Sequence, residues 1–281
     1  MIDLNIIVVN FKSRTEIAKL IPSILADLND ACLSHQISVV DNSQNIDEIK
    51  NYLLNFGAVV KYVDALDNVG FGQGNNFGFK AIAARYHLLV NPDTVILPGG
   101  NTLGRWVKWM DANQKVAVTG PKLLYPDGSL QNSCYRFDRP SILVKPLKQL
   151  NWDKKYQIIK KYVDRLEMRE FDHNETRPVD WVLGAAMMLR SEALRTVGHF
   201  DDRYFMYLED CDLCQTCWQN GLPVYYLHDI AIVHGYERAS ASVSGTVYAL
   251  LKNKLARAHL SSWIKYLWKW RKKHKYYAKL S

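Results

Sequence analysis

Three turns rich in acids and amides hold residues that could do chemistry: Asp41-Asn42-Ser43, Asp67-Asn68-Val69-Gly70-Phe71-Gly72 and Asn91-Pro92-Asp93-Thr94. Each follows a short apolar, β-rich run, at residues 37–40, 58–63 and 86–90. If those runs are parallel strands of one sheet, all three turns emerge at the same edge, where open α/β sheets bind ligands. Carboxylates beside Gly-rich backbone suit a nucleotide diphosphate with a divalent metal, because hard cations prefer oxygen ligands. Further along, Glu209-Asp210-Cys211-Asp212 places three acids within four residues after an aromatic run, residues 200–207. Burial in an aromatic cleft raises a carboxylate's pKa and tunes a general base. His234 closes an apolar run and is a candidate metal ligand.

Each feature also has a plain structural explanation. Asp93 can be a turn residue or helix cap. The acids can simply open a helix, where negative charge is favoured. A lone histidine such as His234 is commonly structural. The stretch from Gly70 to Gly78 is not a dinucleotide fingerprint, since G-x-G-x-x-G does not occur in it. Its glycines still let backbone N–H groups approach an anion beside a helix N-terminus. They could equally pack a helix tightly on the sheet.

The elements that must position these groups alternate. Strands are expected at 4–9, 37–40, 58–63, 87–90 and 116–119. Helices are expected at 14–28, 46–56, 75–85 and 101–113, the first with Ile17, Leu20, Ile21, Ile24 and Leu28 on one face. Alternation of this kind predicts a mostly parallel sheet with right-handed crossovers and helices on both faces. Tyr125-Pro126-Asp127-Gly128-Ser129 signals a hairpin. Residues 136–178 look like an insertion, with a helix near 156–168. A buried strand at 181–189, helices at 191–197 and 210–220, and strands at 224–227 and 230–233 follow. The domain is expected to span residues 1–235, with a helical tail at 236–281.

The motifs in this order resemble the inverting family-two glycosyltransferases of GT-A fold, most of all bacterial rhamnosyltransferases. They are Ile7-Val8-Val9-Asn10-Phe11, Val40-Asp41-Asn42-Ser43, Asn68 through Asn75, Asn91-Pro92-Asp93-Thr94, Gly184 through Arg190, Gly198-His199-Phe200-Asp201 and Tyr207 through Cys214. The resemblance covers about residues 4–235 and implies roles by position. Asp41 would bond the pyrimidine base, and Asn68, Gly70 and Gly72 would face the nucleotide-sugar. Asn91 and Asp93 are similar to the family's D-x-D metal motif, with a neutral amide in place of its first acid. Gly184 and Ala185 would line the sugar and acceptor cleft. Asp210 would be the catalytic base, and His234 would join Asp93 on Mg²⁺ or Mn²⁺. The implied reaction moves L-rhamnose from dTDP-L-rhamnose to a hydroxyl of a glycan or polyprenyl-linked glycan. A UDP-hexose donor, or a non-catalytic module that binds nucleotide-sugars, are the alternatives. A nucleotidyltransferase would carry a Gly-rich loop with Arg and Lys after Val8-Val9, and none is there.

Composition sets the surroundings. The chain has 281 residues, 48% of them hydrophobic, yet no apolar run nears the ~18 residues needed to span a bilayer. Five cysteines without framework spacing fit a reducing compartment, and Cys211, Cys214 and Cys217 read as helix packing. The net charge of +8 is uneven. From residue 238 onward there are eleven Lys or Arg and no acid, so the rest holds 25 basic against 28 acidic groups, or −3. Within this tail Leu260, Trp263, Ile264, Leu267 and Trp270 are expected to share a face flanked by Lys265, Lys269 and Lys272. Trp with Lys or Arg suits an anionic membrane surface, and packing on the body is the alternative. On the membrane reading the tail is separable from the catalytic body. The expectation is a cytoplasmic protein, peripheral on the inner face of the cell membrane, with no nucleic-acid partner.

Overall fold

The structure is a computed structural model that describes residues 1–29, 31–137, 147–148, 150–169, 171–235 and 254–271. In chain order the strands are β1 (Ile2–Asn10), β2 (His35–Asp41), β3 (Val60–Asp64), β4 (Ala84–Val90), β5 (Thr94–Ile96) and β6 (Val118–Leu124). Then come β7 (Leu130–Gln131), β8 (Cys134–Tyr135), β9 (Arg177–Pro178), β10 (Trp181–Val182), β11 (Ala186–Arg190) and β12 (Val224–His234). The helices are α1 (Arg14–Leu28), α2 (Ile49–Leu53), α3 (Phe71–Ala81), α4 (Thr102–Ala112), α5 (Trp152–Lys155), α6 (Gln157–Leu166), α7 (Ser191–Val197), α8 (Glu209–Gln219) and α9 (Lys254–Trp270).

The main sheet runs β3-β2-β1-β4-β11-β6-β12-β5. Strands β3, β2, β1 and β4 pair in parallel, as do β6 and β12. Strand β11 is antiparallel to both β4 and β6, and β5 is antiparallel to β12. Period-two alternation splits the side chains between two cores. Leu4, Ile6 and Val8 join α1 and α4 on one face, while Ile7, Leu89, Met187 and Leu189 meet α3 and α8 on the other. Each fully buried Leu or Ile contributes about 1.5–3 kcal/mol, so both faces must be covered for the sheet to persist. The expected face of α1 is buried as drawn: Ile17, Leu20, Ile21, Ile24 and Leu28.

The direction of the strands places the site. The ends of β1, β2, β4, β6 and β12 and the start of β11 share one edge of the sheet.

Five elements differ from the sequence-based expectation. The glycine-rich helix begins at Phe71, not near 75, with Gly72, Gly74 and Gly78 inside it. Positions 74 and 78 face Val9 and Ile7 of β1, so the lack of side chains lets α3 lie directly on the strand. Residues 181–189 are two strands, not one, because the chain turns at 183–185 to enter the site. Residues 224–234 are one strand with a register shift between Leu227 and Ala231, not two. The three-residue β5 has no counterpart in the expectation; too short for a periodicity, it exists because β12 is there to pair with it. The helix expected at 46–56 is a short α2 followed by a 3₁₀ turn at Leu54–Val59.

Candidate active site

The first part of the site is the end of β2. Asp41 is fully buried, and five donors fill its carboxylate. Oδ1 accepts from Asn10 Nδ2 (3.0 Å), Ser43 N (2.9 Å) and Ser43 Oγ (2.6 Å). Oδ2 accepts from Asn45 N (2.6 Å) and Tyr62 OH (3.2 Å). Burial pushes its pKa up, but the bonds from Ser43, Asn45 and Asn10 outweigh that and hold the carboxyl below its ordinary value. A carboxylate has about four acceptor sites, and the five donors occupy them. These five bonds shape the turn; contact of Asp41 with a pyrimidine base is what the resemblance implies. Asn42 follows Asp41 in the same turn. It donates to the Gly70 carbonyl (2.9 Å), and its buried Oδ1 has no hydrogen-bond partner.

The glycine loop is fixed by side chains from both directions. Asn68 Oδ1 accepts from Gly70 N (3.1 Å). Gly70 has φ +86° and lies against the Phe205 carbonyl, so a side chain there would be strained and would collide with that backbone. Phe71 N donates to the same Phe205 carbonyl (3.0 Å). Gly72 packs against Phe200 and Glu209. The start of α3 and the start of α8 are thus in direct contact.

Asp210 stands at that junction. Its Oδ2 accepts from Gly184 N (2.9 Å) and its Oδ1 from Cys211 N (2.8 Å). A Cβ on Gly184 would sit 3.2 Å from the Phe71 ring and 3.3 Å from Asp210 Oδ2, so glycine leaves the gap between ring and carboxylate open. The Ala185 carbonyl next to it accepts from Asn91 N (2.8 Å), which ties this turn to the Asn-Pro-Asp turn. Burial raises the pKa of Asp210, against the two backbone bonds that favour its charged form. Glu209 is pushed well above the usual carboxylate range by burial and then by the charge of Asp210. Its Oε2 is buried and has no hydrogen-bond partner. Tyr207 and Leu208, just before α8, have φ +71° and +68°. Each such non-glycine conformation costs about 1–3 kcal/mol, and strain of this kind gathers at functional sites.

Antiparallel pairing of β5 with β12 puts His234 opposite Thr94. Across that pair His234 Nε2 lies 3.3 Å from Asp93 Oδ1 and 3.4 Å from Asn91 Nδ2. On the far side of the ring, Gln131 Oε1 is 2.9 Å from Nδ1. That contact places the ring proton on Nδ1 and turns the Nε2 lone pair toward the Asp93 carboxylate. With the proton on Nδ1, the Nε2 lone pair accepts from Asn91 Nδ2, and the Asp93 carboxylate lies beside that contact. Gln131 itself was not singled out in the sequence, where nothing in its hairpin links it to His234. Among the described residues no third His, Cys, Asp or Glu joins this pair. Cys211, Cys214 and Cys217 are free, buried thiols on α8, and burial pushes all three upward.

A mostly parallel sheet with a carboxylate–amide edge, a glycine-rich helix start and a buried acid at a second helix start defines the GT-A glycosyltransferase fold. The similarity of the chain to known proteins agrees. Residues 3–256 match the family described as glycosyltransferase like family 2, and the chain belongs to that family. It is 29% identical over 160 residues to an N-acetylglucosaminyl-diphospho-decaprenol L-rhamnosyltransferase of Mycobacterium tuberculosis, covering 52% of this chain and 46% of that one. The chain therefore spans about half the length of that relative. It is 25% identical over 261 residues to the rhamnosyltransferase WbbL of Escherichia coli K12, covering 88% and 87% of the two chains. Among solved structures, GalNAc-T7 with UDP, GalNAc and Mn²⁺ superposes with a TM-score of 0.58 at 12% identity, over 88% of this chain and 46% of that one.

Proposed function

We propose that this glycosyltransferase moves L-rhamnose from dTDP-L-rhamnose, with inversion, to a hydroxyl of a lipid-linked glycan. The observation that carries the reading is Asp210, a buried carboxylate held by Gly184 N beside an open gap, at the edge that also bears Asn42, Asn68, Gly70 and Asp93. Rhamnosyl transfer is in the names of two relatives, and a lipid diphosphate is in the name of one.

In this reading the glycine loop and Asn42 bind the nucleotide, with the positive end of the α3 dipole toward the diphosphate. Asp93 and His234, with Asn91 beside them, would hold a divalent cation, Mg²⁺ or Mn²⁺. The set fits through its one carboxylate, Asp93, because Mg²⁺ is commonly held by one or two carboxylates with phosphate oxygens and water filling its shell. When bound, such an ion supplies charge neutralisation for a departing diphosphate. Gln131 orients the His234 ring. Asp210 accepts the proton of the acceptor hydroxyl as that oxygen attacks the anomeric carbon from the face opposite the diphosphate. A single displacement inverts the centre, so no enzyme nucleophile takes part. Residues 1–235 would form the transferase domain, with 136–178 toward the acceptor.

The described part of the tail contributes Ile264 and Trp268 as exposed apolar groups, with the Arg271 guanidinium 4.2 Å from the Trp268 ring. We infer peripheral binding of this face to the anionic cytoplasmic side of a membrane. Among the described residues no helix is long and apolar enough to cross one. Lys272 and the residues after it lie outside the described part.

A screen of purified protein against dTDP-L-rhamnose, UDP-glucose, UDP-galactose and UDP-N-acetylglucosamine tests the donor. Turnover of dTDP-L-rhamnose above the UDP-sugars is the expected result. Preference for a UDP-hexose would replace the donor and keep the mechanism.

A further inference from the structure

The C-terminal helix α9 meets both halves of the site. One face, carrying Ser262, Tyr266 and Trp270 at four-residue spacing, is buried on the body. Ser262 Oγ donates to the Met206 carbonyl (2.8 Å), and Lys265 Nζ donates to the Arg203 carbonyl (2.6 Å). The His259 and Tyr207 rings lie 4.8 Å apart. The loop held in this way is the one whose Phe205 carbonyl bonds Phe71 N and closes over Gly70. Further along α9, Lys269 Nζ lies 2.6 Å from Asp212 Oδ2 and 2.8 Å from Asp201 Oδ2. Trp270 Nε1 donates to Asp212 Oδ1 (2.8 Å), and Tyr266 OH bonds Gln215. Asp212 and Gln215 stand on α8, the helix that begins at Glu209 and Asp210.

We propose that α9 positions the active site: Ser262 sets the loop that seats the glycine turn, and Lys269 with Trp270 sets the helix that carries the base. This rests on the reading that Asp210 is the base and the glycine loop holds the nucleotide. Both devices act through partners. Ser262 fixes a backbone segment that includes two left-handed residues, Tyr207 and Leu208. Lys269 supplies a cation to a buried carboxylate that also faces Asp201, Tyr204 and Arg203, with Glu209 on the same helix. Removing one partner of such a pair leaves an uncompensated buried charge, and α8 must shift to let water reach it. Small misplacements of a catalytic group lower turnover steeply.

The test uses the full chain with Ser262→Ala, Lys269→Met, Lys269→Arg and, as an outward-facing control, Ser261→Ala. The readouts are dTDP binding with Mn²⁺ by calorimetry, kcat and donor KM, and hydrogen exchange followed by mass spectrometry. Ser262→Ala should weaken dTDP binding by about 3- to 10-fold with kcat nearly unchanged, and speed exchange at 203–208. Lys269→Met should lower kcat by about 10-fold or more with dTDP binding nearly unchanged, and speed exchange at 209–215. Lys269→Arg should recover most of that loss, and Ser261→Ala should match wild type. Two variants that leave kinetics and exchange unchanged, or that shift kcat, KM and thermal midpoint together, would overturn the proposal in favour of a purely structural helix. If wild type binds no nucleotide, the functional reading fails on its own, and the exchange at 203–215 still decides whether α9 positions these segments.

Discussion

Asp41 and Asp210 are both buried carboxylates at the same edge of the sheet, yet their environments push them in opposite directions. Asp41 receives five hydrogen bonds, and its pKa is held down despite burial. Asp210 receives two, from Gly184 N and Cys211 N, and burial prevails. The number of donors aimed at a carboxylate decides whether it serves as a fixed anion or as a group ready to take a proton. The Asp41 carboxylate is saturated with donors. The start of α8 keeps unmet capacity, seen also in the partnerless Oε2 of Glu209.

The sharpest break of this comparison is the paired substitution. Asp210→Asn should lower kcat by roughly a factor of 10² or more, with dTDP affinity nearly unchanged. It should leave the thermal midpoint at pH 7 equal or higher, since a buried, pKa-raised carboxylate is replaced by a neutral isostere. Asp41→Asn should do the reverse: it destabilises the fold and weakens nucleotide binding only through the turn. Turnover and differential scanning calorimetry on both proteins decide this, and full activity in Asp210→Asn would move the base to Glu209 or Asp212.

Next in size is the Asp93–His234 pair. Gln131→Ala, which removes the partner of His234 Nδ1, should weaken Mn²⁺-dependent dTDP binding by about 10-fold. Asp93→Ala should abolish the difference between dTDP binding with and without Mn²⁺. Calorimetry in Mn²⁺ and in chelator measures both effects, and full activity in chelator would remove the metal from the site.

The opposed pKa directions also predict opposed acid behaviour. The depressed Asp41 contributes stability above its unfolded pKa, near 3.9, and that stability is lost as pH falls through the lower folded value. The raised Asp210 works the other way, costing stability at neutral pH and relieving that cost as pH falls through its higher folded value. The acid limb of kcat/KM should accordingly lie above the ordinary carboxylate range, and it should be absent from dTDP binding. A limb at or below 3.9 would mean that burial does not govern Asp210.

The smallest effect belongs to the outer face of α9. Trp268→Ala together with Ile264→Ser should weaken binding to anionic vesicles a few-fold, more visibly at low salt, and leave turnover on a soluble acceptor unchanged. Equal pelleting of variant and parent would assign vesicle binding to other residues.

The sequence and the structure part ways at the tail. The amphipathic pattern correctly gave a helix, now α9, but hydropathy cannot tell a face that meets lipid from one that meets protein. Trp270 was grouped with Ile264, whereas Trp270 is buried on Asp212 and Ile264 is exposed. Lys269, expected to flank the apolar face, lies between Asp201 and Asp212. Removing residues 260–281 therefore removes Ser262, Lys269 and Trp270 from the body, and the tail is not separable from the site in the way its charge suggested.

By itself the sequence determined what is local. The β-rich runs, the polar turns after them and the acids opening α8 depend on periodicity and on residues a few positions apart, and these forces act within one element. What needed the tertiary structure is every pairing across distance. Asp93 meets His234 because β5 lies antiparallel to β12, Gly184 N reaches Asp210 because the chain breaks between β10 and β11, and Ser262 reaches Met206 because α9 docks. The protonation leanings of Asp41 and Asp210 belong to the same class. In the sequence each is an aspartate beside other polar or acidic residues, and only the folded arrangement of donors sets one down and the other up.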